Sequence, residues 1–293
     1  MDWQIKMMQR SIKSTVSCSG VGLHTGKIAN LTLKPAPVNS GIKFIRIDVD
    51  GGNEVQASFL SVSDTGFCTV LSNECGVSVM TVEHLMAALA AYRISNVIVE
   101  IDAPEVPALD GSALCFVNLI QSVGYINQEI PTKRLKMLKD VEVRQNDKSI
   151  KIRPYDGFVI DFTISFLHPS IGTQRYIFDS NKCSFAAEVA KARTFGFIEE
   201  IEMLQSRGLA KGASLKNAVG VSANGVVNDE GLRYEDEFVR HKVLDCIGDL
   251  YLAGYELIGY VEAIKSGHML NNKLLHTIFE NENNYAIVLP PIF

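Results

Sequence analysis

An α+β fold of two similar domains, each a small β-sheet packed on helices, is what the sequence predicts, and three observations predict it. Strand-like alternation and helix-like periodicity follow one another in the same order in both halves of the chain. A polar, proline-containing stretch, residues 127–134 (NQEIPTKR), separates the halves. Leu89-Ala90-Ala91-Tyr92 before a strand in the first half is echoed by Leu252-Ala253-Gly254-Tyr255 before a strand in the second. The division implied is an N-terminal domain over 1–130 and a C-terminal domain over 131–293, packed face to face with a site between them.

In the first half, residues 28–33 and 43–47 alternate like half-buried strands. Residues 81–92 read as a helix with Thr81 at its N-cap, and 96–101 as a β-rich run. A helix over 112–122 follows the turn at Leu109-Asp110-Gly111-Ser112. In the second half, 158–166 alternates as a strand, 186–192 and 235–253 read as helices, and 256–264 as a strand.

The chain has 293 residues, 47% hydrophobic and 21% charged, which is enough for two compact domains with cores of their own. A net charge of −5 opposes a protein that wraps nucleic acid but permits a small basic cluster for a phosphorylated substrate. The six cysteines form no Cys-x-x-Cys pair. With no apolar core in residues 1–13, they point to the reducing cytoplasm. No run approaches the ~20 apolar residues of a membrane span, and the longest candidate, 80–92, is broken by Glu83 and His84.

Two of the six histidines lie on expected helices beside carboxylates. His241, Asp245 and Asp249 stand at i, i+4 and i+8 and so share one helix face. That stripe reads either as a solvated ion-pairing face or as two ligands for one metal with a further carboxylate behind them. The apolar residues around it, Val239, Val243, Leu244, Ile247 and Leu250, favour a stripe that faces something buried. Glu83-His84 is a second cluster: His84 as third ligand and Glu83 as the base beside a bound water give the open three-ligand pattern of a catalytic zinc site. Taken alone, a Glu-His pair reads by default as a surface or core-satisfied pair. His268, in Lys265-Ser266-Gly267-His268, reads as a loop residue. Held by a carboxylate such as Asp249, it would stay protonated and suit an oxyanion or a departing amine. The glycine-rich run at 20–26 lacks the lysine of a phosphate loop and reads as a tight turn. Cys68 reads as a buried inert thiol.

Longer strings carry a family resemblance. Ser19-Gly20-Val21-Gly22-Leu23-His24-Thr25-Gly26, Thr81-Val82-Glu83-His84-Leu85, Ala108-Leu109-Asp110-Gly111-Ser112, Ala192-Arg193-Thr194-Phe195-Gly196-Phe197, Tyr234-Glu235-Asp236-Glu237-Phe238-Val239-Arg240-His241-Lys242 and Lys265-Ser266-Gly267-His268 occur in this order. Together they resemble the UDP-3-O-acyl-N-acetylglucosamine deacetylases of Gram-negative bacteria, over nearly the whole chain. The resemblance implies helices sandwiched between the two sheets and one catalytic Zn²⁺ on His84, His241 and Asp245. It implies hydrolysis of the N-acetyl group of an acylated UDP-amino sugar, a step in lipid A biosynthesis. Glu83 would be general base, Thr194 would help stabilise the oxyanion, and His268, oriented by Asp249, would act as cation and general acid.

Substrate contacts implied in the same way are Lys242 and Lys265 for oxygen atoms of the sugar nucleotide, Phe166 for uracil, and Phe195, Ile201 and Leu23. The segment 195–214 would line an apolar passage for the acyl chain, each buried methylene contributing about 0.8 kcal/mol. The expected state is a cytoplasmic monomer without nucleic-acid partners, in reach of the inner face of the inner membrane. Three positions depart from the family pattern: Gly66-Phe67 replaces a bulkier Met-Leu pair, Glu200 stands where aspartate is frequent, and Ser165 where an acid is usual. A zinc amidohydrolase acting on a different N-acyl sugar is the alternative.

Overall fold

The computed structural model describes residues 7–289; residues 1–6, part of the stretch read as lacking a leader, and 290–293 lie outside the described residues. The first half opens with β1 (Met8–Ile12), β2 (Val16–Val21), β3 (Ile28–Pro35), β4 (Ile42–Arg46) and β5 (Glu54–Gln56). Three short strands follow: β6 (Val62–Asp64), β7 (Val70–Ser72) and β8 (Ser78–Val79). Helix α1 (Glu83–Ala91), β9 (Val97–Ile101), helix α2 (Leu114–Val123) and β10 (Tyr125–Pro131) complete it. Strands β2-β3-β9-β4-β5 form one sheet in that order. On β3 the alternation seen in the sequence buries Ala29, Leu31 and Leu33 on one face.

The second half begins with β11 (Arg134–Met137), β12 (Val141–Gln145), β13 (Lys148–Arg153), β14 (Phe158–Ser165) and β15 (Thr173–Asp179). Helix α3 (Phe185–Glu188), β16 (Phe195–Phe197), α4 (Ile201–Ser206), β17 (Val219–Ser222) and β18 (Gly225–Val226) form an inserted lobe. Helix α5 (Glu237–Tyr251), β19 (Glu256–Ile264), α6 (His268–Phe279) and β20 (Tyr285–Val288) close the chain. The main sheet runs β12-β13-β19-β11-β20, with β14 parallel to β19 and β15 beyond it.

Helices lie between these sheets. α1 packs on α5, α5 on β14 and β15, α6 on β12 and β13, and α2 on β2. Every residue of α1 from Glu83 to Leu89 is buried, so over these two turns the helix has no solvent face, and its two polar residues, Glu83 and His84, are buried with the apolar ones. Leu85, Met86 and Leu89 each contribute about 1.5–3 kcal/mol of burial to the interface. Among the described residues no helix is long and apolar enough to cross a membrane.

The stretch 127–134 is mainly strand: β10 pairs antiparallel with β1. Three local expectations need correction. Thr81 does not cap α1. Its backbone is left-handed (φ 57°), Val82 occupies the cap without a side-chain bond, and the Thr81 hydroxyl donates to Glu105. The helix expected over 186–192 stops at Glu188, where Val189 leaves the helical backbone (φ −127°, ψ −40°); further on, the Ala192 carbonyl is bonded to His241 and the Arg193 N–H to Glu237. His268 is the first residue of α6, with Gly267 at the cap, and does not sit in a loop.

Candidate metal centre and active site

His241 and Asp245 share a face of α5, and α1 lies against that face, so His84 arrives from the opposite side. One ligand atom from each of the three lies within 4.8 Å of the others. Asp245 Oδ1 is 3.3 Å from His241 Nε2 and 3.5 Å from His84 Nε2, and the two imidazoles meet edge to face with centroids 5.0 Å apart. All three residues are buried. Asp245 Oδ1 has no hydrogen-bond partner among the described residues. A buried carboxylate oxygen is costly when left bare, and this one points between two imidazoles, so the donor set fits a divalent cation. The Ala192 carbonyl lies 3.1 Å from His241 Nδ1. With the Nδ1–H donated there, Nε2 carries the lone pair that faces Asp245.

Charge is arranged to suit. Burial drives the His241 pKa down to about 3, so the ring is neutral, the form that ligates. Burial also opposes ionisation of Asp245, but His241, Lys242 and His84 outweigh it and hold the carboxyl well below its usual range. We assign the pair as carboxylate and neutral imidazole, because Lys242 Nζ at 2.6 Å from Asp245 Oδ2 supplies the counter-charge.

A second group stands beside the first. Glu83 opens α1 next to His84, and its carboxyl is buried and raised in pKa by desolvation. The Thr69 N–H donates to Glu83 Oε2 at 3.1 Å. His268 Nε2 is 3.8 Å from Glu83 Oε1, while its Nδ1 is 2.8 Å from Asp249 Oδ2. Burial alone would lower the His268 pKa, but Asp249 and then Glu83 raise it to about 9. Asp249 is itself held by the Thr69 hydroxyl at 2.6 Å and by Asn271 Nδ2 at 2.8 Å. One side of the cleft therefore holds a carboxylate suited to accept a proton, and the other an imidazolium suited to give one.

The inserted lobe walls the cleft. Phe195 stacks edge-on to His241 (6.3 Å) and Phe238 (4.9 Å), Phe166 lies 5.7 Å from Phe195, and Phe197 is 6.2 Å from Phe166. Thr194 is fixed by its backbone, with its N–H on the Gly111 carbonyl at 2.8 Å. Ile201, Leu204 and Leu209 are only half-buried, and α4 has no buried residue, whereas Ala210 is core. The glycine turn folds back on itself through Gly26 N–H to Gly22 carbonyl at 3.0 Å. The inserted lobe docks on this turn: the Lys211 and Gly212 N–H groups donate to the His24 and Leu23 carbonyls, each at 3.1 Å. A Cβ on Gly212 would stand 2.2 Å from the Gly22 carbonyl oxygen.

The structure brings together His84, His241, Asp245, Glu83, His268, Asp249, Lys242, Phe195 and Phe166, with Thr194 beside Phe195 and Leu23 across the turn. Lys265 stands elsewhere, its ammonium on Asp147 at 2.7 Å near the surface. Cys68 is buried with its thiol pKa pushed up by desolvation, as expected of an inert thiol. Sequence reasoning missed four supports. Glu105 accepts from the His24 and Thr25 N–H groups and from the hydroxyls of Thr25 and Thr81. Arg193 and Glu237 form a fully buried ion pair at 2.8 Å that fixes the loop carrying Ala192 to the start of α5. Thr69 and Asn271 are the others. Arg193 and Glu237 lay inside the quoted strings; Glu105, Thr69 and Asn271 carry no local signal.

Two imidazole nitrogens beside a bare carboxylate oxygen, with separate proton acceptor and donor next to them, are what hydrolysis through a divalent cation requires. That makes the chain a metal-dependent hydrolase by class. It belongs to the family described as UDP-3-O-acyl N-acetylglycosamine deacetylase (LpxC), whose model matches residues 9–280. Curated relatives named UDP-3-O-acyl-N-acetylglucosamine deacetylase agree. The one from Histophilus somni is 46% identical over 96% of this chain and 92% of the relative. Those from Hamiltonella defensa and Thioalkalivibrio sulfidiphilus are each 48% identical over the same shares.

Proposed function

We propose that this chain hydrolyses the N-acetyl amide of UDP-3-O-acyl-N-acetylglucosamine, releasing acetate, with one Zn²⁺ held by His84, His241 and Asp245. The observation that carries the reading is the buried, unpartnered Asp245 Oδ1 between two imidazoles, one of which, His84, directly follows the buried Glu83 on α1. When bound, the cation would polarise the amide carbonyl and bring the pKa of water to about 7. Glu83 takes the proton of the attacking water, and the desolvation that raises its pKa makes it a better acceptor than a solvated carboxyl. His268, cationic through Asp249, faces the same space and gives a proton to the departing amine. The Thr194 hydroxyl is assigned to the developing oxyanion. Lys242 neutralises Asp245 and meets substrate oxygen atoms.

The aromatic row of Phe195 and Phe166 is assigned to the nucleotide side of the substrate, and half-buried Leu23, Ile201, Leu204 and Leu209 to the acyl chain. Lys265, released from Asp147, is assigned to the diphosphate. The domain division at 130/131 and a cytoplasmic monomer working near the inner membrane face complete the reading. Light scattering and membrane fractionation test the last two.

The decisive experiment measures acetate release from UDP-3-O-acyl-N-acetylglucosamine by purified protein before and after chelation, with Glu83→Gln as control. Activity is expected to vanish on chelation and to return with stoichiometric Zn²⁺. In the Glu83 variant it should fall about 10²–10⁴-fold while the metal stays bound. Metal-loaded wild type that is inert on this substrate overturns the substrate assignment.

A further inference from the structure

We propose that Thr69 is a positioning residue that sets the proton acceptor and the proton donor of the cleft in one fixed relation. It immediately precedes β7, and its carbonyl accepts from the Val82 N–H at 3.4 Å, which seats it against the start of α1. Its backbone N–H donates to Glu83 Oε2 at 3.1 Å. Its hydroxyl donates to Asp249 Oδ1 at 2.6 Å and lies 3.2 Å from His268 Nδ1. No other residue touches all three proton-handling groups, among the described residues. Thr69 is 2% exposed, so its rotamer is locked by packing and not by solvent.

The chemistry follows from counting donors and acceptors. Asp249 Oδ2 receives Asn271 Nδ2 and His268 Nδ1, each at 2.8 Å, leaving Oδ1 for the Thr69 hydroxyl. With its one hydroxyl proton spent there, Thr69 Oγ1 turns a lone pair towards His268 Nδ1. The Nδ1–H is then aimed into the gap between Asp249 and Thr69, and Nε2 is aimed at the reaction space beside Glu83, 3.8 Å away. A hydroxyl at position 69 therefore selects one ring orientation of His268, while the backbone of the same residue holds Glu83. Valine has the shape of threonine but neither the donor nor the lone pair. It would leave Asp249 Oδ1 bare and the ring free to rock.

The inference rests on the deacetylase reading for its kinetic arm, so the test carries a second, spectroscopic arm. Thr69→Val and Thr69→Ser are compared with wild type for kcat, KM and metal content. The proton resonance of His268 Nδ1–H is followed in ¹⁵N-edited spectra, assigned by its loss in His268→Gln. Thr69→Val is expected to lose about 10-fold or more in kcat, part of the 10²–10⁴ that acid–base groups supply. KM should stay within about twofold and metal content should be unchanged. Its Nδ1–H resonance should shift or be lost to solvent exchange, and Thr69→Ser should restore both readouts. A Thr69→Val protein with wild-type kcat, or with kcat lowered but the His268 resonance unmoved, overturns the proposal. If wild type is inert on the family substrate, the functional reading falls while the resonance still decides the role of Thr69.

Discussion

The carbonyl oxygen of Glu83 stands 2.0 Å from the point a Cβ on Gly248 would occupy. Gly248 lies between Asp245 and Asp249 on α5, so its missing side chain is what lets the first turn of α1 close onto both carboxylates. Gly248→Ala must push the helices apart. The expected cost is at or above the ~1–3 kcal/mol of ordinary overpacking, since backbone is struck and cannot rotate away. Chemical denaturation and metal analysis check it: lower stability and substoichiometric metal are expected, and a variant that matches wild type on both contradicts the packing argument.

On the proposed ligand set, cation binding and folding should be linked through Asp245. Adding Zn²⁺ to metal-free protein is expected to raise Tm, by the equivalent of about 2.7 kcal/mol when free metal is 100 times Kd. In Asp245→Asn the stabilisation should be largely lost, because the oxygen that faces both imidazoles no longer carries charge. Differential scanning calorimetry with and without chelator reads this directly.

Arg193 is 1% exposed and its partner Glu237 is fully buried. Removing one member of such a pair strands the other charge, at about 3–5 kcal/mol. Arg193→Met is therefore expected to lower stability by about that amount. It should also weaken metal binding, since the same loop carries the Ala192 carbonyl that orients His241. Urea titration and a competitive metal chelator measure the two effects.

His268 gives a pH dependence of known sign. Its folded pKa, raised to about 9, exceeds the ordinary histidine value of about 6.5. Protonation therefore favours the folded state, fully so below pH ~6.5, and the contribution disappears as pH rises through about 9. In metal-free protein, His268→Gln should lower Tm more at pH 6 than at pH 10. An equal loss at both values would mean that the ring is not held as a cation.

Much of the site was legible in the sequence because helix geometry is local. The i, i+4, i+8 spacing of His241, Asp245 and Asp249 needs nothing beyond 3.6 residues per turn to put all three on one face. Strand alternation at β3 and β4 was readable for the same reason, whereas β14 is a strand that buries Val159 to Phe162 in succession and does not alternate as expected. The failures share an opposite cause. Thr81, which looks like a cap, is drawn into a left-handed conformation by Glu105, a residue far along the chain. The expected helix over 186–192 ends at Glu188, and the residues after it serve partners far along the chain, Ala192 bonding His241 and Arg193 bonding Glu237. Thr69 matters only through partners at 83, 249 and 268, and no window of sequence contains them together.

The proposed ligands are divided between α1 and α5, and that division sets an order in time. Ribosomes deliver His84 first and, at ~5–20 residues per second, His241 and Asp245 on the order of ten to thirty seconds later. Through that interval the emerging chain offers one imidazole and a glutamate, too few donors to retain a cation against cellular competitors. Metal acquisition would thereby wait until both helices exist, and the ion would be chosen by a cleft already closing around it.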